Sequence, residues 1–176
     1  MKRLFFALLP DAKTRQHCVD IQHKLAPGSG QPVLASNLHV TLLFLGQVDA
    51  EKEQALIEAA TKLPMPKLQL SFDQLTYWQK PKILCLTGQN TCDDDLNNLV
   101  LQLTKIAVQL ALPVDERPYI AHVTLARKAQ QAVAMDFEPF EWPAQRFCLM
   151  ESCSLPTGVE YRVCRYWEQM TEQVYL

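Results

Sequence analysis

The sequence predicts one α+β domain built of two similar lobes. Three observations carry that reading: period-two apolar alternation in short stretches, apolar stripes at helical spacing in longer ones, and one tetrapeptide that occurs twice. The tetrapeptide is His39-Val40-Thr41-Leu42, repeated as His122-Val123-Thr124-Leu125 83 residues later in a chain of 176. Each half thus carries one copy, the mark of an old duplication whose remaining similarity is confined to the motif.

Taken in order, residues 4–9 form a short apolar strand that Pro10 ends. Asp11 caps a helix to about residue 25, with Cys18, Ile21 and Leu25 inward. Residues 27–30 are a loop, and the first histidine strand spans 37–46. Asp49 caps a second helix, whose Leu56, Ala60 and Leu63 share a face before Pro64 and Pro66 stop it. From residue 67 the period changes to alternation through 73, a half-buried strand, and another strand covers 83–87. The longest helix is expected at 93–111. Asp93, Asp94 and Asp95 suit the positive end of its dipole, and Leu96, Leu99, Leu103, Ile106 and Leu110 line its apolar face. The second histidine strand covers 119–126, a polar stretch 128–134 follows, and strands 146–155 and 159–167 close the chain around Pro156-Thr157-Gly158. No stretch reads as a linker, so 1–176 is expected to be a single domain.

Composition narrows the function classes. A hydrophobic content of 48% supports a real core, while a net charge of −2 lacks the basic field of a long-duplex binder. Met1-Lys2-Arg3 and the apolar residues after it imitate a secretory signal, but Pro10 and Asp11 end the run too early, and nothing approaches the roughly twenty apolar residues of a membrane span. A cytoplasmic protein is expected. The six cysteines, Cys18, Cys85, Cys92, Cys148, Cys153 and Cys164, show no C-x-x-C pair and are read as reduced thiols.

Residues two apart on a strand share a face, so His39 and Thr41 point one way, His122 and Thr124 likewise, and four polar groups line one cleft. His17 and His23 lie on the first helix without such a motif and are read as surface residues. Two imidazoles across a cleft can divide proton transfer near neutral pH, one accepting and one donating. Hydrolysis of a cyclic phosphodiester needs that division, with hydroxyls or cations holding the phosphoryl oxygens. Competing chemistries fit less well. A catalytic zinc normally has three protein ligands, and the triple aspartate is a solvated cap whose members diverge around the helix axis. A threonine nucleophile lacks an adjacent base. The five glycines form neither a P-loop nor a dinucleotide fingerprint. No metal and no cofactor are expected.

At this point the residues resemble a known family, the 2H phosphoesterases, and within them the bacterial RNA 2′,3′-cyclic phosphodiesterases also called 2′-5′ RNA ligases. Arg3-Leu4-Phe5-Phe6-Ala7, Asn37-Leu38 before the first motif and Phe44-Leu45-Gly46 after it are similar to that family in order and spacing. So are Arg117-Pro118-Tyr119 before the second motif, Arg127 after it, and Tyr161 with Trp167 near the end. The resemblance implies a bilobal LigT-like fold with pseudo-twofold symmetry, two antiparallel sheets forming a central cleft and helices packed outside. It also implies hydrolysis of a terminal 2′,3′-cyclic phosphate to a 2′-phosphate. His39 would be the proton donor to the ribose 3′-oxygen and His122 the proton acceptor from water, with Thr41 and Thr124 holding phosphate oxygens. Arg127 adds positive charge at the cleft mouth.

The implied partners are RNA ends or small nucleotides bearing a 2′,3′-cyclic phosphate, met by a monomer with no membrane and no obligatory protein partner. Two alternatives stand beside hydrolysis: ATP-independent 2′-5′ ligation, and a nucleotide-binding module without turnover, whose expected sign, loss of a motif histidine or threonine, is not seen. The sequence departs from the family where Pro and an earlier His are common, at Ala121 and Ile120. Phe5, Phe44, Tyr119 and Tyr161 are candidates for stacking a base, with core packing the reading preferred for Phe5 and Phe44. Lys80, Lys82, Arg117, Arg127, Arg162 and Arg165 are candidates for a local basic patch.

Overall fold

The computed structural model describes residues 1–89, 94–156 and 158–168. Asp93 as a helix cap, Cys92, and Thr157 in the closing turn lie outside the described residues.

The first strand, β1 (Lys2–Leu8), is buried on both faces, which accounts for its unbroken apolar run. Leu4, Phe6 and Leu8 enter the main core, while Phe5 and Ala7 join Cys148 and Met150 in a second cluster. Helix α1 (Ala12–His23) starts where expected, the Asp11 carboxylate accepting from the Thr14 N–H at 2.7 Å. A two-residue strand, β2 (Gln31–Pro32), and a 3-10 turn at Ala35–Asn37 precede β3 (Val40–Val48). Asp49 caps α2 (Ala50–Ala60) through the Lys52 N–H at 2.8 Å. Strands β4 (Leu68–Phe72), β5 (Gln74–Trp78) and β6 (Ile83–Thr87) lead to α3 (Asp94–Gln109). The chain continues through β7 (Val123–Arg127), β8 (Phe140–Ala144), β9 (Arg146–Leu155) and β10 (Gly158–Glu168).

All strand pairs are antiparallel. The main ladder runs β10-β9-β1-β3-β7-β6-β5 with β2 also on β7, and β4-β8 forms a separate two-stranded sheet. The two lobes correspond: β1-α1-β3 and β6-α3-β7 each place one helix between two adjacent antiparallel strands. Between them β3 and β7 meet at one residue pair, Val40 opposite Val123, and β2 of the first half adds two more pairs on β7. Val40 and Val123 are the same position of the repeated tetrapeptide, so the pseudo-twofold axis passes between them. Each helix also reaches across it, α3 touching β3 and α1 touching β7.

Helical residues Cys18, Ile21, Leu56, Leu96, Leu99 and Leu103 pack with Val40, Leu42, Val123 and Leu125 in one core that draws on both lobes. The helices therefore cover the sheet face that Val40 and Val123 occupy. The opposite face is left for the alternating His and Thr side chains.

Three expectations need correction. Neither histidine lies inside a strand: β3 starts at Val40 and β7 at Val123, because the 3-10 turn and Pro118 keep the preceding backbone out of the ladder. Strands β2, β5 and β8 carry too little signal to be expected from sequence. Phe44, read as core, is 52% exposed. Register shifts on β1 place it opposite Phe5, on the face without helices. His17 and His23 are exposed as expected, with His17 stacked on Phe140 at 5.4 Å between ring centroids.

Candidate active site

Residues opposite one another across an antiparallel pair share a face. With Val40 opposite Val123, His39 faces Thr124 and Thr41 faces His122, on the side the helices leave open. The fold thus brings His39, Thr41, His122 and Thr124 together about the axis, all four half-buried.

Both histidines are held the same way. The His39 Nδ1–H donates to the Asn37 carbonyl at 2.7 Å, and the His122 Nδ1–H donates to the Ile120 carbonyl at 2.9 Å, each two residues back. A carbonyl only accepts, so Nδ1 carries the proton in both neutral rings, and each Nε2 presents a lone pair. The Thr41 hydroxyl donates to His39 Nε2 at 3.0 Å. At His122 the contact is made by the backbone of residue 120, so replacing the family's histidine there by Ile120 leaves it intact. Ala121 is buried and Ile120 exposed.

The segment before His39 is tethered twice. Asn37 Nδ2 donates to the Val159 carbonyl at 2.8 Å, and Arg15 donates to the carbonyls of Ala35 and Pro10. The Tyr119 hydroxyl donates to the Thr41 carbonyl at 3.0 Å, linking the approach to one motif with the backbone of the other. Gln22 on α1 donates to the carbonyls of Val33 and Leu125, at 2.9 and 2.7 Å, and so fixes β7 against the loop beside it.

Aromatic rings surround the histidines unequally. His39 meets Phe5 at 5.2 Å and the edge of Tyr161 at 5.1 Å, and Phe5 in turn meets Phe44 at 5.5 Å. His122 meets Trp78 at 4.3 Å. Arg127, at the end of β7, reaches the Tyr161 hydroxyl of the other lobe at 3.5 Å and so spans the cleft mouth.

Burial of the ring pushes His39 down from 6.5 to about 4; the Asn37 carbonyl opposes this, while positive charge at His122 and Arg127 adds to it. His122 is also lowered, by burial first, against the Ile120 carbonyl and with Arg127. Both rings are therefore neutral at pH 7 in the free protein. Two imidazoles with unprotonated Nε2, two hydroxyls and one guanidinium make a site with the groups to hold an anion and to take up a proton with it.

Among the described residues no group of three or more His, Cys, Asp or Glu side chains could hold a metal ion. Of the further basic candidates, Arg117 is paired with Asp115, and Arg162 with Glu160 at 2.7 Å, so their charge is largely committed. Arg15, Asn37, Gln22 and Trp78 hold the site without having been expected from sequence. Asn37 carried a signal in its place two residues before the histidine; the others carried none.

Residues 9–85 match a family model described as LigT-like phosphoesterase. The RNA 2′,3′-cyclic phosphodiesterase of Escherichia coli (strain K12) is 34% identical over 169 residues, covering 94% of this chain and 96% of that protein. A protein of the same name from Thermotoga maritima is 27% identical over 175 residues, covering 92% of each. Among solved structures, Escherichia coli LigT complexed with 3′-AMP superposes with a TM-score of 0.89 at 31% identity, over 97% of this chain and 99% of that one. The same protein complexed with phosphate gives 0.83 at 30% identity, over 97% and 98%.

Proposed function

The chain belongs to the LigT-like phosphoesterase family, and on that footing we propose that it hydrolyses RNA 2′,3′-cyclic phosphate ends by moving protons through His39 and His122. It is a phosphodiester hydrolase. The observation that carries the mechanism is the Val40–Val123 bridge, which sets two Nδ1-anchored imidazoles, each with an unprotonated Nε2, on one face of the sheet.

The phosphodiester anion offsets the depression of the histidine basicities, so one imidazole is protonated once substrate is bound. His39 takes that role as proton donor to the ribose 3′-oxygen, while neutral His122 accepts the proton of the attacking water. The P–O3′ bond breaks as the new P–O bond forms, and the product keeps its 2′-phosphate. Protonating His39 at Nε2 ends its acceptance from Thr41: the Nε2–H turns to the ribose 3′-oxygen, and the threonine hydroxyl hydrogen is released toward a phosphate oxygen. Thr124 offers the matching hydroxyl from the other lobe, and Arg127 offsets negative charge at the mouth.

No helix of the described residues is long and apolar enough to cross a membrane. We place the enzyme in the cytoplasm, acting as a monomer over residues 1–176; the free thiols of Cys18, Cys85, Cys148, Cys153 and Cys164 fit a reducing compartment.

The test is turnover of a nucleoside 2′,3′-cyclic phosphate and of a short RNA ending in one, in EDTA, with phosphorus NMR assigning the phosphate position. Formation of a 2′-phosphate, reduced about 10²–10⁴-fold in His39→Ala and in His122→Ala, is expected. Full activity in His122→Ala would sink the mechanism.

A further inference from the structure

The β5-β6-β7 lobe ends in a concentration of positive charge of which the proposed chemistry uses only Arg127. Lys80 and Lys82 lie in the turn 79–82 between β5 and β6, Arg127 closes β7, and Lys128 follows it, all exposed. Arg127 pairs with Ile83 and with Gln31, and the Ala129 N–H donates to the Lys82 carbonyl at 3.0 Å, so the turns carrying these cations are locked together. The three segments that meet here, 26–34, 79–82 and 127–134, contain no Asp or Glu, in a chain whose net charge is −2. Among the described residues none of the four cations forms an ion pair with a carboxylate, unlike Arg117 and Arg162.

Backbone conformation gives a second, independent observation. Lys82 and Lys128 both sit in the left-handed region, at φ 53° and 55°. Glycine takes that conformation without crowding, and a hairpin or strand end of this kind usually carries one. Here both positions carry lysine, and the Lys82 carbonyl accepts from the N–H of Ala129, the residue after Lys128. Such an outlier persists only where the surrounding structure over-determines it, so the direction in which each lysine leaves the backbone is fixed.

A path joins this end to the reacting groups. Trp78 pairs with Ile83, which pairs with Arg127, and the Trp78 ring lies against His122. Beyond Lys128 an open groove of about 370 Å³ continues between 26–29 and 130–134, presenting Ser29, Gln130 and Gln131.

We propose that this end of the lobe binds the RNA strand upstream of the cyclic phosphate, with Lys82 and Lys128 holding the phosphodiester on the 5′ side of the terminal nucleoside. The inference rests on the phosphodiesterase reading above and extends it to the substrate class: an oligoribonucleotide is preferred over a nucleoside cyclic phosphate, which lacks that phosphate.

The double variant Lys82→Gly, Lys128→Gly tests it, because glycine relieves the backbone at both positions and the fold is retained or strengthened, as thermal unfolding will show. Wild type and variant are compared on a nucleoside 2′,3′-cyclic phosphate with a free 5′-hydroxyl and on a trinucleotide ending in the cyclic phosphate, over a range of salt. Expected is an unchanged kcat/KM for the nucleoside, a loss of about tenfold for the trinucleotide, and a shallower salt dependence of the trinucleotide rate. An unchanged trinucleotide rate, or an equal loss on both substrates, overturns the proposal. Failure of the phosphodiesterase reading shows differently, as no turnover of either substrate by the wild type; equal affinity of wild type and variant for a trinucleotide 2′-phosphate then overturns the docking surface as well.

Discussion

His39 and His122 are bound to the chain by the same contact, yet they titrate in different surroundings, and this asymmetry is open to measurement. In the free enzyme both rings lose their protons below the ordinary histidine range. The proposed mechanism requires one of them protonated, so kcat/KM, which reports the free enzyme, is expected to fall as pH rises through an acidic value. The bound phosphodiester raises that value, so kcat is expected to hold to higher pH. Profiles of the two constants over pH 4 to 9 check the separation (~5 pH units, spanning the histidine range), and coincident profiles would contradict it. The same depression acts on stability. His39 binds its proton at about 4 when folded and near 6.5 when unfolded, so its contribution is complete above 6.5 and is lost as pH falls toward 4. Denaturant unfolding across that window is expected to show a shallower pH dependence in His39→Gln than in the wild type.

At the scale of elements, the end of α3 carries an avoidable strain. Ala111 has φ 50°, and the Leu112 N–H closes on the Ala107 carbonyl at 2.9 Å, an arrangement that favours glycine at the left-handed position. The Ala111 side chain is exposed, so Ala111→Gly forfeits no packing and is expected to add about 1 kcal/mol, read from the shift of a urea midpoint. Elements were legible in the sequence where a cap or a strict period announced them. Asp11 and Asp49 start their helices as expected, and the alternation around Leu68, Leu70 and Phe72 is a strand. What escaped was decided by partners far along the chain. Strand β8 contains Pro143, which reads as a breaker, but a two-stranded ladder leaves one side of each strand unpaired and accommodates it. Of the candidate site, the two histidines and two threonines were visible because the motif is doubled. Trp78 was not, since only the curl of the sheet carries its ring to His122.

The whole molecule is joined in the sheet by the β3–β7 bridge and the short β2–β7 pairing, and by a core that ignores the boundary between lobes. Leu4 and Phe6 from one lobe share a cluster with Leu86, Val123 and Leu103 from the other. Both lobes are therefore expected to unfold together, with tryptophan fluorescence and far-UV circular dichroism tracing coincident denaturant curves. Separate transitions would show that each lobe is its own folding unit.

The bridge between Val40 and Val123 has a consequence for how the two copies of the motif came to differ. A dimer of identical halves would supply the same four polar groups about a true axis, but nothing in it would tell donor from acceptor, and a substrate would fit equally well in two opposite directions. One chain carrying both copies can dress them separately. Here Phe5 and Tyr161 enclose one imidazole while Trp78, which leads into the lysine-bearing turn, adjoins the other. On the proposed docking, direction along the RNA is written into the surroundings of the motif rather than into the motif itself.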